Sequence, residues 1–171
     1  MGLLGRALRR IRAGDAHLAW ARLDGPQILA LTSRDFVDGG ELARLHAGEG
    51  VGANVSPALA WTGVPEDAVA LLLVVEDRDA PLPRPLVHVI ATMHPLIDSL
   101  ARGQLAHSTP GVDLLAGSLD GIGYAGPRPI AGHGVHHYVF QLFALDREVG
   151  SIDEAVGHVL ARGRITGTYE R

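Results

Sequence analysis

The chain is patterned as short apolar runs punctuated by glycine, proline and aspartate, a texture of strands and turns. Residues 28–32 are short and apolar, and Asp38-Gly39-Gly40 marks a turn. Residues 48–57, rich in Gly, Asn, Ser and Pro, read as a loop, and 59–62 as a short strand closed by Gly63 and Pro65. Residues 69–76 form a continuous run of strand length, which predicts a strand buried on both faces. Pro81, Pro83 and Pro85 cannot donate ladder hydrogen bonds, so a stiff loop separates that strand from the next at 87–93. Residues 96–100 fit a helical turn, and the Gly/Pro-rich stretch 111–129 a long functional loop. Residues 138–145 are apolar on both faces apart from Gln141, as in a central strand, and 164–169 make a last strand.

Two segments carry helical spacing. Ser151 and Glu154 stand as in a capping box, Ile152, Ala155, Val156, Val159 and Leu160 follow an i, i+3, i+4, i+7, i+8 pattern, and Gly163 suits the C′ position, so a helix is predicted there. Near the N-terminus Leu3, Leu4, Ala7, Leu8 and Ile11 form an apolar stripe with arginines between them. That stripe is expected to bury itself on the domain or on a second copy of the chain, rather than on a membrane surface, so a homodimer is among the expectations. The chain thus divides into a basic amphipathic extension, 1–26, and a domain, 27–171. Many strands, one well-marked helix and no β–helix alternation point to a mainly β fold built on antiparallel sheet.

Composition narrows the chemistry. With 171 residues, 47% apolar and 20% charged, the chain can bury a real core. A net charge of −4 offers no basic surface for nucleic acid. The absence of cysteine removes disulfides and every thiolate-based site. Arg6, Arg9, Arg10 and Arg12 interrupt any signal-peptide apolar region, so a cytoplasmic location is expected.

Three segments concentrate reactive side chains. Asp77 and Asp79 follow a buried strand, His88 opens the next, and His136 and Tyr138 share a face at the start of a third. Such a set suits a metal site, an acid–base pair in which a carboxylate orients a histidine, or an anion pocket whose imidazolium and hydroxyl donate. His133-x-x-His136 has metal-ligand spacing but sits in a Gly-rich loop with no obvious carboxylate ligand next to it.

These segments resemble the phosphatidylethanolamine-binding protein family, in its bacterial Raf-kinase-inhibitor-like branch. The resemblance rests on Asn-x-Ser-Pro-x-Leu-x-Trp at 54–61, Asp-x-Asp-Ala-Pro at 77–81, Gly-Pro-x-Pro at 126–129, Gly-x-His-x-Tyr at 134–138 and the closing Gly-Thr-Tyr at 167–169. It implies a large antiparallel central sheet packed on a smaller sheet, and a pocket for phosphate, phosphoethanolamine-like or carboxylate groups without cofactor, metal or catalytic residue. Carried over residue by residue, it implies ligand contacts from Asp77, Asp79, Pro81, His88, Pro127, Pro129, His136 and Tyr138, the aspartates orienting His88 and His136 or one of them donating as the acid. It implies partners of two kinds: a small anion or phospholipid headgroup, and a kinase or protease modulated through the pocket. His137 stands where the family usually carries Arg, and Ile130 where many members carry Pro. Rival expectations are a hydrolase using His136 and His88, and an interaction scaffold with a vestigial pocket.

Overall fold

The computed structural model describes residues 2–119 and 121–171. Two antiparallel sheets form. The larger has the order β6-β4-β3-β7-β8, and the smaller has β1-β2-β5. Here β1 is Ala30–Thr32, β2 Leu59–Thr62, β3 Ala70–Asp77, β4 Leu86–Met93, β5 Ser99–Leu100, β6 Val112–Leu115, β7 His136–Leu145 and β8 Val159–Tyr169.

The uninterrupted apolar run makes β3 the middle strand, with every residue buried between β4 and β7. Alternation then divides the core. Leu71, Leu73 and Val75 pack with Phe140 and Leu142 toward the small sheet, where Leu31 and Trp61 meet them. Leu72 and Val74 point the other way, joining Phe143 and Leu145 under Ala19 and Leu23 of the N-terminal segment.

That segment behaves as two pieces. Residues 18–23 belong to the core: Leu18, Ala19 and Leu23 are buried, and α2, Ala19–Arg22, is received by polar side chains of the central sheet. Glu76 accepts the Ala19 N–H at 2.8 Å and a hydrogen bond from Gln141 at 2.7 Å, while Gln141 Oε1 accepts the Trp20 N–H at 2.6 Å. These contacts explain the one polar residue in the apolar run of β7. Burial raises the Glu76 carboxyl above the usual carboxylate range, and the bonds from Gln141 and Ala19 oppose that shift.

The outer piece, α1 at Leu3–Leu8, removes one of the two expected covers for its stripe, the domain itself. Its apolar stripe does not pack on the domain: Leu3 is 80% exposed, and Leu4 and Ile11 face solvent. Instead the helix docks through Gly5, where a Cβ would lie 2.3 Å from the Ala131 carbonyl oxygen. Arg9 donates to the Gly132 carbonyl and Arg12 to that of Val135. Among the described residues no helix is long and apolar enough to cross a membrane.

The helix predicted after Ser151 is also corrected. Half of the box forms, Glu154 N donating to Ser151 Oγ, while the Glu154 carboxylate accepts from Gly150 N instead of Ser151 N, and only a 3-10 turn follows, Asp153–Ala155. Gly157, in the left-handed region at φ 82°, redirects the chain, and Val159 begins the longest strand. Pairing along β7 outweighs the helical spacing, a case of tertiary contacts overriding a local pattern. Residues 96–100 likewise end in β5 rather than a helical turn, and the long loop after Gly111 opens with β6 on the edge of β4.

Candidate functional site

The site lies where the C-terminal end of β3 meets the starts of β4 and β7. Register places Asp77 beside Tyr138 on one side and Leu86 on the other. Between them the ladder slips: Val75 pairs with Val89, but Glu76 pairs with Val87, leaving His88 as the extra residue of a β-bulge. Strict alternation would send His88 to the face opposite Val89. The bulge turns it onto the same face, where its ring stands edge-on to Tyr138 with centroids 5.1 Å apart.

His88 and Tyr138 enter a cavity of about 320 Å3 lined also by Asp77, Leu86, Gly126 and Arg128. His88, Gly126 and Arg128 also line an adjoining space of about 430 Å3 that reaches Asn54 and Tyr124. His88 Nδ1 faces the Ala125 carbonyl oxygen, and the Ala125 N–H returns a bond to the His88 carbonyl at 3.0 Å. Asn54, in the left-handed region at φ 55°, holds this loop: its Oδ1 accepts from Gly126 N at 2.7 Å and its Nδ2 donates to the Tyr124 carbonyl at 3.1 Å. His88 Nε2 and the Tyr138 hydroxyl are buried without a hydrogen-bond partner among the described residues. Burial lowers the His88 pKa, outweighing the opposing Ala125 carbonyl and Asp77 charge, and the Arg128 charge lowers it further. Burial, then the Asp77 charge, pushes the Tyr138 hydroxyl far up, so it stays protonated.

His136 is placed differently. Its Nδ1 meets Asp77 Oδ2 at 2.7 Å, and its Nε2 meets His133 Nδ1 at 2.7 Å. His133 Nε2 in turn meets the carbonyl oxygen of Leu8, in α1, at 2.9 Å. Asp77, His136 and His133 are all buried. A carbonyl only accepts, so the Leu8 oxygen fixes a proton on His133 Nε2. Satisfying the other two contacts then requires one further proton on each, so the chain is complete when the three side chains together carry no net charge. The three groups line up in series. Among the described residues no three metal-ligating side chains converge on one point.

Of the residues expected from sequence, Asp77, His88 and Tyr138 line the cavity. His136 stands behind Asp77 with both nitrogens engaged, which corrects the expectation that it donates to a ligand. Asp79 turns away from the cavity: it accepts from His137 N at 2.7 Å and meets His137 Nδ1 at 2.6 Å and Arg12 at 2.5 Å. Burial would raise its carboxyl, but Arg12 and His137 hold it below the usual range. The aspartates therefore orient His136 and His137, not His88. Pro81 is not among the residues lining either space, and in the rim segment Gly126 and Arg128 line the cavity where Pro127 and Pro129 were expected to.

Arg128, the linking His133 and Arg12 were missed. Arg128 lies inside the quoted Gly-Pro-x-Pro motif, so its position was available. His133 drew notice only as a metal spacing because its carboxylate neighbour, Asp77, is 56 positions away in sequence and enters through His136.

The chain matches the family model described as phosphatidylethanolamine-binding protein over residues 32–170. A UPF0098 protein of Methanothermobacter thermautotrophicus is 36% identical over 157 residues, covering 82% of this chain and 98% of its own. The crystal structure of CT736, a phosphatidylethanolamine-binding protein homologue of Chlamydia trachomatis, is 30% identical with a TM-score of 0.73, covering 85% of this chain and 99% of that one. E. coli YbcL superposes with a TM-score of 0.79 at 25% identity, covering 84% and 99% of the two chains.

Proposed function

The chain belongs to the phosphatidylethanolamine-binding protein family, and from that premise we propose that it is a binding protein whose cavity beside His88 and Tyr138 takes a small oxyanion, a phosphate-like or carboxylate group. One observation carries this reading. Two buried polar atoms, His88 Nε2 and the Tyr138 hydroxyl, have no hydrogen-bond partner among the described residues, and both residues line one cavity with Arg128. Leaving such groups unsatisfied costs about 1–3 kcal/mol each, so they mark a place where something else completes the bonding. Arg128 supplies positive charge at the mouth.

The hydrolase alternative, which uses His136 together with His88, draws less support: both His136 nitrogens are engaged, so His88 Nε2 is left to act without the second histidine. The test is calorimetric titration with inorganic phosphate. Wild type binds, Arg128→Ala weakens binding about tenfold, and Tyr138→Phe weakens it by a similar factor, the scale of one lost charge-assisted hydrogen bond. Undiminished affinity in both variants places the ligand elsewhere.

A further inference from the structure

The proposed pocket has a direction to its hydrogen bonding, set by a carbonyl that is not part of it. His88 Nδ1 faces the Ala125 carbonyl oxygen, which can only accept, so Nδ1 carries the ring proton. A neutral ring then presents a bare lone pair at Nε2. Tyr138, whose ring stands edge-on to that of His88, lines the same cavity and has a hydroxyl proton to give.

We propose, building on the oxyanion reading above, that this cavity selects protonated oxyanions: groups presenting an O–H to His88 Nε2 and, next to it, an oxygen to the Tyr138 hydroxyl. Inorganic phosphate and phosphomonoester monoanions meet this demand. Sulfate and phosphodiesters do not, because neither retains an acidic O–H near neutral pH. A free phosphomonoester is therefore preferred over the diester of an intact phospholipid.

The charges around His88 favour the neutral ring. Arg128 faces it from the rim loop and disfavours a second proton, and His136 from β7 acts the same way. Asp77 from β3 favours a second proton, but its Oδ2 is engaged by His136 and its Oδ1 accepts the Asp79 N–H at 2.8 Å. Tyr138 from β7 is uncharged. Complete burial of the ring decides the balance in favour of neutrality.

Four small probes separate charge from proton: inorganic phosphate, methyl phosphate, dimethyl phosphate and sulfate, titrated by calorimetry at about pH 6, near the second ionisation of a phosphomonoester. Phosphate and methyl phosphate are expected to bind with similar affinity. Dimethyl phosphate, a monoanion, and sulfate, a dianion, bind at least about tenfold more weakly, the scale of one unsatisfied buried group. Raising the pH to about 8 weakens methyl phosphate, which loses its last proton, more than inorganic phosphate, which keeps one. In His88→Gln, whose amide can turn to donate, the gap between sulfate and phosphate closes to within about threefold.

Equal binding of sulfate and phosphate by wild type, abolished in Arg128→Ala, overturns the proton requirement and leaves the oxyanion site standing. Binding of methylammonium in place of phosphate makes the lone pair a cation acceptor and overturns both readings, as does no binding of any probe. Should His88→Gln fail to fold, the 15N resonance of His88 Nε2 in the wild-type protein decides: an unprotonated nitrogen is expected, and a protonated one rejects the inference.

Discussion

His88 and His136 are both buried and both have rings near Tyr138, with centroids 5.1 and 6.5 Å away, yet the fold treats them in opposite ways. His136 is consumed by the protein, with Asp77 on one nitrogen and His133 on the other. His88 is anchored by one nitrogen, and the other has no partner among the described residues. The side chains are the same. The difference comes from which backbone carbonyl is within reach and from whether a second side chain fills the remaining position. A histidine in a motif therefore announces no role by itself, since its remaining bonding capacity sets the role.

The first way to break this contrast is to remove His136. His136→Ala leaves the Asp77 carboxylate and His133 buried without their shared partner, and a cost of about 3–5 kcal/mol is expected, as for a buried pair that loses one member. Urea unfolding measures it. His88→Ala should be milder, about 1–3 kcal/mol, because it strands only the Ala125 carbonyl. If the two variants lose equal stability, the contrast fails.

Acidity sharpens it next. The folded protein depresses the His88 pKa. As pH falls through about 6.5, the unfolded chain takes up a proton that the folded chain refuses, so native stability declines from there downward. His88→Gln should flatten that decline without moving the plateau above neutrality. Glu76 works in the opposite direction. Its raised pKa means that the unfolded chain releases its proton first as pH rises, so its contribution is lost through the interval above the usual carboxylate range. Glu76→Gln, read by the same unfolding curves, should therefore reduce the loss of stability across that interval.

The smallest effect is expected at the edge of the site. Arg12 is one-third exposed and pairs with Asp79, which His137 also binds. Arg12→Ala should cost about 1 kcal/mol at most and increase hydrogen exchange in residues 3–14, leaving phosphate binding at His88 unchanged. A large fall in affinity would mean that α1 and the cavity are energetically one unit.

Much of this was legible in the chain. Strands 59–62, 69–76 and 87–93 were visible because burial on one or both faces leaves an apolar signature. The motif residues Asp77, His88, His136 and Tyr138 do gather at one end of one sheet. What stayed hidden has a common cause. The bulge at His88 is a property of pairing between two strands, and neither strand records it alone. The carbonyls of Leu8 and Ala125 that set the protons of His133 and His88 belong to residues whose side chains say nothing of that task. Gly5 reads as a weak helix residue until Ala131 is seen against it. Residues 159–163 carry helical spacing and sit in a strand because β7 offers them a full ladder.

The route taken by the N-terminal segment also bears on synthesis. Leu8, Arg9 and Arg12 find partners at positions 132–135, more than 120 residues later in the chain, whereas Ala13 and Gly14 bond to residues 78–80. At roughly 5–20 residues per second, that separation is about 6–24 s of translation. Through that interval Leu8, Arg9 and Arg12 wait for the carbonyls and the histidine they bond to, while Leu3 and Leu4 stay exposed even in the finished fold. The histidine chain can close only after His136 has been made, so docking of the first helix reports that β7 has begun, ahead of β8.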